Sequence, residues 1–106
     1  MTPEKLYEGL SKYADSQGIQ LNKDREYVME IMRGLIKNEE RYGYRSCPCR
    51  LATGIKERDK DIICPCAYKE PDIKEYGSCY CNLYVSKEWN EGSIKHIVVS
   101  ERRQII

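Results

Sequence analysis

The sequence predicts a mainly α fold, a small single domain of short helices and cysteine loops spanning residues 1–106. Three observations lead there. Apolar residues recur at helical spacing through the first third of the chain, between recognisable start and stop signals. All six cysteines fall between residues 47 and 81, as three Cys-x-Cys units among prolines and glycines that preclude long regular elements. A chain of 106 residues can bury one modest core but not two.

Thr2 followed by Pro3 is an N-cap and first helical position, and Leu6, Leu10 and Tyr13 then share a face until Gly18 offers a stop. A second helix starts at Asn22 or Asp24. Val28, Ile31, Met32, Leu35 and Ile36 stand at i, i+3, i+4, i+7 and i+8, which is one apolar stripe, and Gly43 ends it. Short helices are expected near residues 55–61 and 71–76, between cysteine loops. In the tail, Ile94, Ile97, Val98 and Val99 read as a short strand, although a single strand without a partner is not stable.

One third of the residues are charged, 18 basic against 17 acidic, with both signs spread evenly. The net charge of +1 provides no field that would draw nucleic acid or an anionic membrane, so neither is expected as a partner. "MTPEKLYEGLSKY" lacks the apolar centre of a secretory signal, and no run is long enough to span a membrane. A cytoplasmic location is therefore expected. Such a compartment disfavours a structural disulfide framework and favours metal or redox chemistry for the cysteines.

Proline restricts itself and the residue before it, so Cys47-Pro48-Cys49 and Cys64-Pro65-Cys66 resist helix and hold their thiols in fixed directions. A structural zinc site uses four cysteines, most often in wider-spaced knuckles. An iron–sulfur cluster also takes four thiolates and tolerates several loop geometries. A zinc-stapled interaction module, a one-electron iron–sulfur carrier and a redox enzyme all remain open on these residues alone.

"NEERYGYRSCPCRL", "DIICPC" and "GSCYCNLYV" together resemble the catalytic (beta) subunit of ferredoxin:thioredoxin reductase and its archaeal ferredoxin:disulfide reductase relatives. The similarity runs from about Leu21 to Val85, with an echo in "SERR". It implies a fold organised around a 4Fe-4S cluster held by Cys47, Cys64, Cys66 and Cys79, with Cys49 and Cys81 forming a redox-active disulfide beside it. It also implies ferredoxin as electron donor and thioredoxin or a thioredoxin-like protein as substrate. In the implied scheme Cys49 attacks the target and Cys81 interacts with the cluster. A small variable subunit accompanies this chain in plant and cyanobacterial enzymes, whereas archaeal relatives manage without one.

The chain departs from the chloroplast-type pattern in two respects. Its first inter-unit gap is shorter and its second, "AYKEPDIKEYGS", is longer. Tyr80 also stands where that pattern has histidine in the third unit. Tyrosine ionises near pH 10 rather than about 6.5, so no imidazole-type step is expected in the pH–rate profile between about pH 6 and 7.5. Arg50 directly follows Cys49 and either favours its thiolate or faces solvent. His96, Trp89 and most of the nine tyrosines read as packing or rim residues, Arg102 and Arg103 as a charged tail, and residues 37–41 as a solvated helix end.

Overall fold

The computed structural model describes residues 2–50 and 52–100. Helix α1 spans Pro3–Ser16, and the Thr2 hydroxyl accepts the Lys5 amide as its N-cap. Strand β1, Gln20–Leu21, leads to α2, Arg25–Tyr42, whose N-cap Asp24 accepts the Tyr27 amide and whose C-cap is the left-handed Gly43. Thr2, Pro3 and Gly43 act as read from sequence; of the two starts offered for α2 Asp24 is the N-cap, and α1 ends on a Gln17 C-cap with the left-handed Gly18 directly after it. On α2, Val28, Met29, Ile31, Met32 and Leu35 are buried, with Ile36 packed partly against them. Burying each such side chain contributes about 1.5–3 kcal/mol, and this stripe meets α1 through Leu6 and Ala14.

The cysteine region contains α3, Lys56–Asp59, continued by a 3-10 turn over Lys60–Ile62, and α4, Lys69–Tyr76. Both helices expected there form. Strand β2, Tyr84–Val85, pairs antiparallel with β1, placing Gln20 opposite Val85 and Leu21 opposite Tyr84. Helix α5, Lys87–Glu91, follows at once, and its Asn90 side chain donates to Gln20 Oε1 and the Leu21 carbonyl. Strand β1 and helix α5 are thereby latched together.

The strand expected over Ile94–Val99 does not form. Residues 94–100 adopt no regular structure, with Val98 exposed and only Val99 buried, because β1 already takes β2 as its partner. Trp89 is buried in α5, and the exposed His96 ring stacks on it at 3.6 Å while Nε2 lies 2.7 Å from the Trp89 carbonyl oxygen. Arg102, Arg103 and most of the "SERR" segment lie outside the described residues. Among the described residues, no helix is long and apolar enough to cross a membrane.

Asp59, fully buried, organises the segment after the first cysteine unit. It accepts from the Tyr44 hydroxyl, the Thr53 amide and hydroxyl, and the Gly54 amide. Burial opposes its ionisation, but these bonds outweigh it and hold the carboxyl down to about 2. A carboxyl depressed in the folded state contributes stability above its unfolded pKa and loses it as pH falls toward the folded one. Stability is thus expected to drop between about pH 4 and 2, and urea unfolding of Asp59→Asn should show a weaker dependence across that range.

Candidate metal and redox site

Backbone bonds set the three Cys-x-Cys units side by side. Ser46 and Ile63 form an antiparallel bridge, with the Cys47 amide donating to the Ile62 carbonyl and the Cys64 amide to that of Arg45, both at 2.8 Å. The third unit sits at the tip of a hairpin closed by the Ser78–Val85 bridge and by the Cys79 amide bonding to the Tyr84 carbonyl at 2.9 Å. The outer units share one turn geometry. Arg50 N–H returns to the Cys47 carbonyl and Asn82 N–H to that of Cys79, so each turn begins on one cysteine and carries the other two positions on.

Helix α2 forms the floor. Gly34 faces Pro48 so closely that an added Cβ would lie 2.9 Å from the Pro48 Cβ, and Asn38 Nδ2 donates to the Ser46 carbonyl at 3.0 Å. The Tyr27 hydroxyl, also from α2, donates to the Cys81 carbonyl. Sequence reading assigned Gly34 no role, since only the folded chain brings residue 48 against it. Alanine would gain about 1 kcal/mol of helix propensity but would push the Cys47–Cys49 turn off the helix. Gly34→Ala is therefore expected to lower the melting temperature and accelerate alkylation of the cysteine thiols, both measurable on the purified protein.

Cys47, Cys64, Cys66, Cys79 and Cys81 line one largely apolar cavity, together with Ile31, Leu83, Tyr84 and the buried cations Arg50 and Lys69. Cys47, Cys79 and Cys81 are buried, Cys64 and Cys66 partly so, and Cys49 is the exposed cysteine. The donor set suits an iron–sulfur cluster. Its thiols line a cavity that no carboxylate lines, and two donors point at their sulfurs: Tyr84 N–H at 3.3 Å from Cys79 Sγ and Arg50 Nη1 at 3.5 Å from Cys66 Sγ. Hydrogen bonds to ligand sulfurs are one of the levers by which proteins set cluster potential.

The sulfurs of Cys47, Cys49 and Cys81 lie within 4.8 Å of one another. Hydrogen bonds from the Cys47 and Cys81 thiols hold Cys49 well below the usual thiol range, with a smaller contribution from the Arg50 charge. The same bonds to its two neighbours, followed by burial, push Cys81 far up. Burial raises Cys64, Cys66 and Cys79 as well. Thiols held protonated by burial are those that a bound metal cation would deprotonate.

Arg50 does not face solvent. It is 7% exposed, and its guanidinium lies between the rings of Tyr80, at 4.5 Å, and Tyr68, at 5.0 Å. Tyr80 thus packs on a cation that reaches Cys66. Sequence reading gave Tyr27, Tyr68 and Lys69 no role at the cysteines: Tyr27 arrives from α2, and Tyr68 and Lys69, two and three residues after Cys66, are turned back onto the site by the start of α4.

Comparison with curated proteins gives no match. The family model described as ferredoxin thioredoxin reductase catalytic beta chain matches residues 2–104, so the similarity extends beyond the Leu21–Val85 stretch through α1 and into the tail. With a convergent cysteine site and a mainly α fold around it, the chain belongs to the ferredoxin thioredoxin reductase catalytic beta chain family.

Proposed function

We propose that the protein is an iron–sulfur disulfide reductase that takes electrons one at a time from reduced ferredoxin and passes them in pairs to the disulfide of thioredoxin or a thioredoxin-like protein. Cys47, Cys64, Cys66 and Cys79 would hold a 4Fe-4S cluster, and Cys49 and Cys81 would form the redox-active pair. The observation that carries this reading is the three-sulfur group, in which the exposed Cys49 and buried Cys81 sit against Cys47. A cluster bound there supplies single-electron storage next to a pair of thiols. A cytoplasmic, reducing setting suits this chemistry.

The residues divide the work by exposure. Cys49, as thiolate, attacks one sulfur of the target disulfide; the new Cys49–target bond forms as the target S–S bond breaks, and the released target thiolate takes a proton. Cys81 then attacks the Cys49 sulfur, which frees the second target thiol and closes a Cys49–Cys81 disulfide. The target has gained two electrons and two protons. Two one-electron deliveries from ferredoxin, with two protons from solvent, cleave the Cys49–Cys81 bond and restore the dithiol. The Tyr27 bond to the Cys81 carbonyl and the turn bonds of the outer units keep the two sulfurs within reach of each other.

Anaerobic purification with iron, sulfide and thiol counts tests the reading. Four iron and four sulfide per chain, as a 4Fe-4S cluster requires, plus one reducible disulfide are expected. Zinc without a visible absorption band would overturn it in favour of a stapled interaction module. A simple electron carrier would instead keep full activity after Cys49 and Cys81 are both replaced.

A further inference from the structure

Arg50 and Lys69 are the buried cations among the described residues, at 7% and 5% exposure, and both line the cysteine cavity. Burying a lysine is costly unless an opposite charge compensates it. Lys69 makes no ion pair among the described residues; its Nζ lies 5.2 Å from the Tyr13 ring centre and 6.0 Å from that of Tyr84. Two aromatic faces compensate a buried ammonium only in part. What the cavity offers in addition is sulfur.

The geometry points to Lys69, with Arg50, as a counter-charge for an anionic metal–thiolate centre, holding its reduction potential up. The inference rests on the iron–sulfur reading above and goes beyond it by assigning a role to a residue outside the cysteine units. Four thiolates outweigh the positive charge of a 4Fe-4S core, so the assembled centre is a buried anion. Uptake of one electron from a one-electron reductant makes it one charge more negative, with no bond broken and no proton required. A cation in the cavity wall stabilises the reduced form more than the oxidised one, and low local dielectric strengthens the effect. Lys69 acts here as a positioning residue through charge; it does not touch the reacting disulfide in the scheme above.

The test is a redox titration of the purified holoprotein, followed by its visible absorption, for wild type, Lys69→Met, Lys69→Gln, Lys69→Arg and Lys74→Met. Lys74 is an exposed lysine on the same helix. At the wild-type midpoint, the ratio of reduced to oxidised centre is expected to fall about tenfold in Lys69→Met and Lys69→Gln, a shift of about 59 mV for one electron. Lys69→Arg and Lys74→Met should stay near wild type. If the neutral variants fail to assemble the centre while Lys69→Arg assembles it, the counter-charge role is supported through assembly. An unchanged midpoint in the neutral variants overturns the inference, and points to Lys69 serving the buried Asp72 one turn along α4. Loss of the centre in all three Lys69 variants also overturns it, by showing a packing role. If wild type itself carries no iron and sulfide, the iron–sulfur reading has failed first, which the metal count reveals separately.

Discussion

Cys49→Ser is expected to keep its iron yet lose turnover, while Cys81→Ser keeps its iron and accumulates a stable mixed disulfide with its target. Neither residue belongs to the proposed ligand set, and their exposures differ sharply: Cys49 is exposed, whereas Cys81 is 6% exposed and capped by Tyr27 at its carbonyl. A bulky protein disulfide can reach the first sulfur and not the second. Removing the attacking thiol leaves no route to the mixed disulfide, so turnover should fall at least about 10³-fold, the scale of loss when an enzyme's nucleophile is removed. Removing the resolving thiol instead leaves the first bond formed and takes away the thiol assigned to break it. Non-reducing electrophoresis after incubation with oxidised thioredoxin reads the outcome. Trapping by Cys49→Ser but not by Cys81→Ser would mean the two roles are reversed.

Cys64→Ser and Cys66→Ser should each lose most of the iron and melt at a distinctly lower temperature. The reason lies in how little else holds residues 47–81 together. Arg50, Asp59, Ile62, Lys69, Asp72 and Ser78 are buried there, but among the described residues of that stretch Ile62 is, apart from the cysteines, the only fully buried apolar side chain. Metal–ligand bonds would then supply folding free energy directly. Loss of a metal is among the few single changes that exceed about 4 kcal/mol, which for a domain of this size corresponds to more than about 10 °C in melting temperature. Serine also leaves a hydroxyl in an apolar cavity at a position where burial already raises the thiol. Full iron retention in both variants, by metal analysis, would sink the assignment of these two as ligands.

The two designs probe different halves of the same three loops, and the site makes them separable. Each outer unit starts its turn on a proposed ligand and presents a proposed redox thiol two residues later. Metal content should therefore follow Cys64 and Cys66, and exchange chemistry should follow Cys49 and Cys81.

Much of this arrangement was legible in the sequence, for local reasons. Helices α1 and α2 form where Thr2, Pro3, Asp24 and Gly43 said they would, because capping and i, i+4 periodicity involve residues within a turn or two of each other. The six thiols, their pairing into three units and the resemblance those units carry are likewise properties of neighbouring letters, and the family match over residues 2–104 agrees with them. Contacts over long separations were decided only by the tertiary structure. Strand β1 found its partner in Tyr84–Val85 rather than in the apolar tail, since the hairpin carrying Cys79 and Cys81 delivers that segment to it. Which thiol meets solvent, why Gly34 must lack a side chain, and where Arg50 and Lys69 are buried also depend on surfaces that meet only after α2, α4 and the three loops have packed. Burial and proximity are set by those distant surfaces, and no short window of sequence contains both sides of such a contact.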